Sequence, residues 1–438
     1  MTDEKKDATM RTEEYKLEAV SELRFEVETG SDASVQLDLL EGMAEVFGAE
    51  LTKGRQITFE EGAKVAVFTW HEVLLLACLD LSHLAGKTEV AYIAKETPMV
   101  MYINTHAALE QMRQKAEKEK TRGPRVMVVG PTDVGKSTLC RLLLNYAARL
   151  GRAPIFVDLD VGQGDISIPG TLGSIVVERP SDIEEGYNLN APVVFHFGSS
   201  SPSHNTQLFK LLVSKMADTV NQKCDQSKKC CSSGVIINTG GWVRGAGYDM
   251  LKHIAGCFEV DVIIVLDQER LYNELKRDMP DFVEVLLLPK SGGVVERNSS
   301  VRADDRDLKV REYFYGLRKD NKDSFYPHPL HISFNDVKIY KIGAPALPDS
   351  CLPLGMKSQD NMLKLVPVSP SNGLLHHVLS ISMATSMEDN ILESNILGHV
   401  VITGVDMEKQ MFTALSPSAV TPPRNIWLMS EIQFMDID

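Results

Sequence analysis

The sequence predicts a three-part α/β protein: a central domain on a mostly parallel sheet, an N-terminal β-sandwich-like domain, and a small C-terminal mixed-β (α/β) domain. Three observations carry this. Apolar residues alternate with a period of two up to about Val100, near-continuous apolar runs separated by helical stretches follow, and short strands with Pro-rich turns return after about Lys322. The domain ranges are 1–115, 116–322 and 323–438, and a chain of 438 residues is long enough for each part to bury its own core.

In the first part the alternating sets are Leu23, Phe25, Val27, then Val35, Leu37, Leu39, then Val65, Val67. This is the pattern of strands with one buried face. The alternation breaks at Thr105, where HAALEQMRQKAEKEKTR reads as a polar helix running into a linker at Gly123-Pro124. The second part contains the runs Arg125–Val129, Ile155–Val157, Val193–Phe195, Val235–Ile237, Val262–Leu266 and Val285–Leu288, with helices expected over Ser137–Leu150 and Gln207–Val220. Strands apolar on both faces belong to a sheet covered by helices on both sides. In the last part, strands are expected around Val337–Ile339, Leu363–Val366, His399–Ile402 and Ile432–Phe434. No internal repeat is apparent.

A net charge of −14 and a pI near 5.3 argue against a protein that coats nucleic acid by bulk charge, so any phosphate-rich partner must meet local cations. The 7 cysteines, an odd number, show no repeated C-x-x-C pair, as expected in a reducing compartment. Cys224, Cys230 and Cys231, flanked by Lys228 and Lys229, read as an exposed polar loop rather than a metal site. The acidic start is unlike a secretory signal. No stretch reaches the ~18 apolar residues of a membrane span, so an intracellular, soluble protein without a membrane partner is expected.

Chemistry concentrates in the second part. Gly130-Pro131-Thr132-Asp133-Val134-Gly135-Lys136-Ser137-Thr138 fits G-x-x-x-x-G-K-[ST], directly after an apolar strand and opening an amphipathic helix. The central part is therefore expected to be a P-loop NTPase domain. The glycines allow backbone N–H groups and the helix N-terminus to surround nucleotide phosphates. Lys136 then neutralises β and γ oxygens, and Ser137, with Thr138 beside it, ligates magnesium. No N-K-x-D set follows the strand ending at Leu266, which favours ATP over GTP.

The second strand runs into Asp158-Leu159-Asp160-Val161-Gly162-Gln163, placing carboxylates where open α/β sheets bind ligands. Asp160 is the candidate for a proton acceptor or water-mediated magnesium ligand, Asp158 its alternative, and Gln163 a candidate for orienting the nucleophile or the magnesium water shell. Trp242, in Thr239-Gly240-Gly241-Trp242-Val243, suits base stacking and equally suits packing at a domain interface. Arg302 and Arg306, four apart, share a face of any helix they occupy. That face could close over a transferring phosphoryl group or be an ordinary solvated one. His196, His204, His376 and His377 lack metal spacing and read as structural.

Together the strings GPTDVGKST, DLDVGQG, NTGGWV, LDQERLYNELKRDMP and LLPKSGGVVER and the arginine pair resemble the eukaryotic polyribonucleotide 5′-hydroxyl-kinase (Clp) family of the pre-mRNA cleavage complex and the tRNA-splicing endonuclease complex. The resemblance runs from about Glu22 to the C-terminus. It implies an ATP- and Mg2+-dependent kinase acting on 5′-hydroxyl RNA, with Asp133 to Thr138 on phosphates and magnesium, Asp160 as base, and Arg302 and Arg306 as lid. It further implies that Trp242 stacks on the terminal nucleotide, that Gly198, Ser199, Ser200, Ser201 and Pro202 grip its phosphate, and that Glu22 and Lys64 contact ATP. A cleavage-factor scaffold protein, tRNA-splicing endonuclease subunits and a nuclear location follow from the resemblance alone. Inactive members alter the phosphate loop or lid, whereas Lys136, Ser137, Asp160, Arg302 and Arg306 are all kept here. A non-catalytic ATP-bound scaffold is the alternative reading.

Overall fold

A computed structural model describes residues 10–27, 34–80, 91–319, 322–344 and 361–435; Cys351 and the acidic start lie outside them. The alternating N-terminal segments form two sheets, one of four strands and one of five. Leu23, Leu37, Val67 and Leu75, none of them measurably exposed, meet between the two sheets. The period of two puts them there, since every second side chain points inward.

The helix expected near Thr105 spans Met99–Glu119 and is less polar in its setting than its composition suggests. Met99, Tyr102 and Leu109 pack with the central domain, and Arg113, 1% exposed, donates from Nε to Ser233 O at 2.9 Å. Lys115, Glu117, Lys118 and Glu119 are exposed, whereas Glu110 and Arg113 are buried with the apolar stripe, which composition alone hid.

The central sheet has seven strands in the order Val193–His196, Thr171–Val176, Ile155–Asp158, Val235–Asn238, Arg125–Val129, Val262–Leu266, Glu284–Leu288. All run parallel except Thr171–Val176, which is antiparallel to both of its neighbours. That strand escapes the pattern because Thr171, Gly173 and Ser174 interrupt its apolar run; Gly173 is required there, since a Cβ would lie 2.8 Å from Ile166 Cγ2. Side chains alternate between two cores. Val126, Val128, Phe156 and Ile236 face the helices Met99–Glu119 and Lys136–Arg149, whereas Met127, Val129, Val157 and Ile237 face Thr206–Gln226 and Ala246–Cys257.

The cysteine segment is not an exposed loop. Lys228–Ser233 is a short helix capped by Ser227, with Cys224 and Cys230 buried in the core and Cys231 partly buried. Its two lysines face outward while the cysteines serve as small apolar residues. The C-terminal domain is a seven-stranded mixed sheet in which Lys338–Ile342 and Ile426–Gln433 form the parallel pair. No helix among the described residues is long and apolar enough to cross a membrane.

Candidate active site

The strand Arg125–Val129 ends at the C-terminal edge of the sheet, and the helix Lys136–Arg149 begins there. Gly130, Asp133 and Gly135 take positive φ values of 156°, 55° and 87°, so the loop doubles back above the helix N-terminus. Val134 is buried beneath it and Thr138 is exposed. Lys136 is 7% exposed and donates from Nζ to Pro131 O at 2.7 Å. Burial pulls its ammonium below the ordinary range, and the nearby Asp160 carboxylate opposes this.

Behind the loop, Asn238 Nδ2 donates to Ser137 Oγ at 3.2 Å and to Asp158 Oδ1 at 3.1 Å. Asp158 also accepts the backbone N–H groups of Asp160 at 3.0 Å and Asp165 at 2.7 Å. Burial, then the neighbouring carboxylates of Asp165 and Asp160, push its carboxyl up to about 8. Asp160 stands further out. Its Oδ1 accepts from Gly162 N at 3.0 Å and Gln163 N at 3.3 Å, its Oδ2 accepts nothing from the described residues, and Gly240 of the tryptophan loop lies across from it. Asp158 is thus committed to structure and Asp160 keeps an oxygen for chemistry.

The arginine segment folds over the loop. Val294 reaches Gly135, where a Cβ would lie 3.2 Å from its methyl group. Asn298 caps the helix Ser299–Tyr315 by accepting from Val301 N at 2.8 Å. Asp133, its side chain 5% exposed, accepts Arg297 N at 3.1 Å, Arg297 Nε at 2.9 Å and Arg302 Nη1 at 3.0 Å. Burial alone would raise the Asp133 carboxyl, but the Arg297 backbone N–H and guanidinium, with the Arg302 charge, hold it below its usual value. Arg297 also donates to Gln163 Oε1 at 2.8 Å and to Asp305 at 2.8 Å. Arg306 lies one turn beyond Arg302 and makes no hydrogen bond or ion pair with the described residues. Val310 and Phe314, at 0% exposure, fix the far half of this helix in the C-terminal domain.

Trp242 is half-buried on a loop seated against the phosphate loop. A Cβ on Gly241 would lie 2.4 Å from Thr132 Cγ2, and one on Gly247 would lie 2.6 Å from the Trp242 ring. Ser199 is buried, Ser200 partly so, and exposed Ser201 pairs with Ser203 at 2.8 Å. The Ser200 carbonyl abuts Gly162, where a Cβ would be 3.0 Å away, so this loop borders the Asp160 turn.

Glu22 is 3% exposed and accepts from Arg24 Nε at 2.7 Å and from Thr97 Oγ1. Arg24 packs under Gly292 and Gly293, and Tyr102 donates to Pro289 O at 2.7 Å, so the N-terminal domain reaches the base of the lid. Lys64 pairs with Glu26 at 3.6 Å. Because Glu22 opposes Phe68 and Glu26 opposes Lys64, Lys64 sits roughly 13 Å along the sheet from Glu22.

Sequence reasoning passed over Arg297 as a site residue, and it missed Asn238 and Arg24. Arg297 precedes the helix and so has no helical spacing to mark it. Asn238 does carry a signal, a polar residue ending an otherwise apolar strand beside the phosphate loop.

Comparison with known proteins agrees with this architecture. Residues 130–316 match the family described as mRNA cleavage and polyadenylation factor CLP1 P-loop, 325–436 match Pre-mRNA cleavage complex II protein Clp1, and 16–116 match the N-terminal beta-sandwich domain of polyadenylation factor. The chain is 57% identical over 437 residues to Polyribonucleotide 5′-hydroxyl-kinase Clp1 of Gallus gallus and to that of Homo sapiens, covering 100% of each chain. It is 54% identical over 436 residues to Protein CLP1 homolog of Anopheles gambiae, again with 100% of both chains covered. A chain of the wild-type Clp1p–Pcf11p complex shares the fold, with a TM-score of 0.82 at 21% identity over 98% of this chain and 99% of that one. Identity at this level over the full length, with all three family models matched in order along the chain, means that the chain belongs to the Clp1 family.

Proposed function

We propose that this chain is a polynucleotide kinase that transfers the γ-phosphoryl group of ATP to the 5′-hydroxyl end of RNA. One observation carries the reading: Lys136, the free oxygen of Asp160, the arginine lid and the Trp242 loop all converge on one phosphate loop. Catalysis of phosphoryl transfer is mainly positioning and charge stabilisation, which this arrangement supplies.

The positive-φ loop and helix N-terminus suit a triphosphate. To reach it, Lys136 exchanges the Pro131 carbonyl for a phosphate oxygen. Ser137 Oγ, with one lone pair taken by Asn238, retains another for a cation, so the residues present fit magnesium held by Ser137 and, through water, by Asp160. When bound, magnesium neutralises charge on the β and γ oxygens. Asp160 takes the proton of the 5′-hydroxyl as its oxygen bonds to the γ-phosphorus, the bond to the β–γ bridging oxygen breaks, and ADP leaves. Arg302 and Arg306 serve as the lid charges. Glu22, beside the lid base, suits a contact with the nucleoside, while Lys64 requires its full reach. Trp242 stacks on the terminal base, and Ser199, Ser200 and Ser201 bind the phosphate that follows.

The fold shared with the Clp1p–Pcf11p complex supports docking on a cleavage-factor scaffold. Work with tRNA-splicing endonuclease subunits in the nucleus belongs to the same proposal. The test is incubation with γ-labelled ATP and 5′-hydroxyl RNA or DNA oligonucleotides. The unmodified protein is expected to label the 5′ end, and Lys136→Ala and Asp160→Asn to lose at least ~100-fold of that rate. Tight ATP binding without any transfer would favour the scaffold alternative.

A further inference from the structure

Outside the phosphate loop, a buried polar chain lies between the central and C-terminal domains. His196 ends the strand Val193–His196, and its Nδ1 lies 2.7 Å from Ser380 Oγ. Ser380 Oγ in turn lies 3.1 Å from His399 Nδ1, and His399 Nε2 lies 3.3 Å from Ser167 Oγ. His196, Ser380 and His399 are 3%, 1% and 2% exposed.

With both rings neutral, the Ser380 hydroxyl donates to one ring's Nδ1 and accepts from the other's, and His399 Nε2 meets the Ser167 hydroxyl in the complementary sense. Burial keeps the rings neutral, pulling His196 down to about 4 and His399 to about 3. Each member is satisfied only while the two domains are docked.

The chain ends two residues before Gly198, the start of the serine loop. Gly198 takes a positive φ of 84°, and its carbonyl accepts from Ser430 Oγ at 3.1 Å and Glu431 N at 2.8 Å. On the other side of the loop, Glu431 pairs with His204 at 3.1 Å, and Asn205 donates to Met362 O at 2.6 Å. The loop is therefore gripped before and after Ser199–Ser201 by the C-terminal domain.

We propose that the C-terminal domain positions the substrate loop Gly198–Ser201 against the Asp160 turn, through the Ser167–His399–Ser380–His196 chain and the clamp of Ser430 and Glu431 on Gly198. This rests on the reading that the loop binds the phosphate of 5′-hydroxyl RNA. Ser380, His399 and Ser430 are positioning residues, since none of them borders the Asp160 turn itself. Ser380→Ala leaves two buried ring nitrogens without their partner, at a cost in the stability of the docked arrangement. His399→Asn keeps an amide N–H and a carbonyl oxygen near the Nδ1 position and so preserves the link to Ser380 in either sense.

Steady-state transfer to a 5′-hydroxyl RNA oligonucleotide tests this, alongside hydrogen exchange of residues 196–204 and 130–138 in the full chain. Ser380→Ala and Ser430→Ala are expected to raise the oligonucleotide KM about tenfold with the ATP KM unchanged, and to speed exchange in 196–204 alone. His399→Asn is expected to stay within about threefold of the unmodified protein. An unchanged oligonucleotide KM with unchanged loop exchange overturns the proposal, as does a joint rise of both KM values with faster exchange in 130–138. If the unmodified protein transfers no phosphoryl group, the kinase reading fails. The exchange comparison still decides whether the domain holds the loop.

Discussion

Replacing Asp133 by Asn removes one charge from the centre of the lid contact. Asp133 sits at φ 55°, a conformation Asn adopts more readily than other non-glycine residues, so the backbone is preserved. The side chain is 5% exposed and accepts three N–H groups at 2.9–3.1 Å, two of them from guanidinium groups. Charge-assisted bonds exceed neutral ones by about 1 kcal/mol each. Arg297 and Arg302 are 30% and 29% exposed, and solvent screening reduces that difference. About 1–2 kcal/mol of lid closure is expected to be lost, a shift of roughly 5- to 30-fold toward the open lid. Hydrogen exchange of residues 290–305 measures it directly, with the helix Lys136–Arg149 as an unchanged reference. Lid exchange within twofold of the unmodified protein would refute the view that Asp133 latches the lid.

Gly241→Ala places a Cβ 2.4 Å from the Thr132 methyl and 2.7 Å from the Thr132 backbone nitrogen, so the two loops must part. Turnover is expected to fall more than tenfold, with a stability cost of about 1–3 kcal/mol by thermal unfolding; wild-type ATP affinity and rate in this variant would contradict the packing. Asn238→Ala, at 0% exposure, removes the bonds to Ser137 and Asp158 and is expected to cost about 2–4 kcal/mol and to weaken magnesium-dependent turnover. A magnesium titration of activity would detect a failure of this coupling as an unshifted midpoint. Burial lowers His106, His196 and His399 to about 4, 4 and 3. Their folded pKa values lie below the unfolded ~6.5, so unfolding takes up protons below that pH. Stability is expected to be complete above pH ~6.5 and to fall as pH drops toward 4; denaturant midpoints that stay level across that window would show that these rings are not buried neutral.

The sequence by itself determined most of the elements and the chemistry of the phosphate loop. Periods of two and runs of apolar residues are local consequences of which faces are buried, and G-x-x-x-x-G-K-S after a strand is a local anion site. Hence Lys136, Ser137 and the two aspartates were legible. Local pattern could not separate Asp158 from Asp160, because both follow one strand. The tertiary structure separated them: Asn238, 80 residues further along the chain, and the backbone N–H groups of the turn at Asp160 and Asp165 consume the oxygens of Asp158. It also set Arg297 rather than Arg306 on Asp133, since closing a loop across 164 residues leaves no periodic trace. The strand Thr171–Val176 and the buried cysteine helix were missed for a related reason, burial there being decided by neighbours far away in sequence. The hydrogen-bonded chain of His196, Ser380 and His399 exists only where two domains meet. Hydrogen bonds and desolvation act through space, and a linear pattern records them only where chain neighbours are also spatial ones.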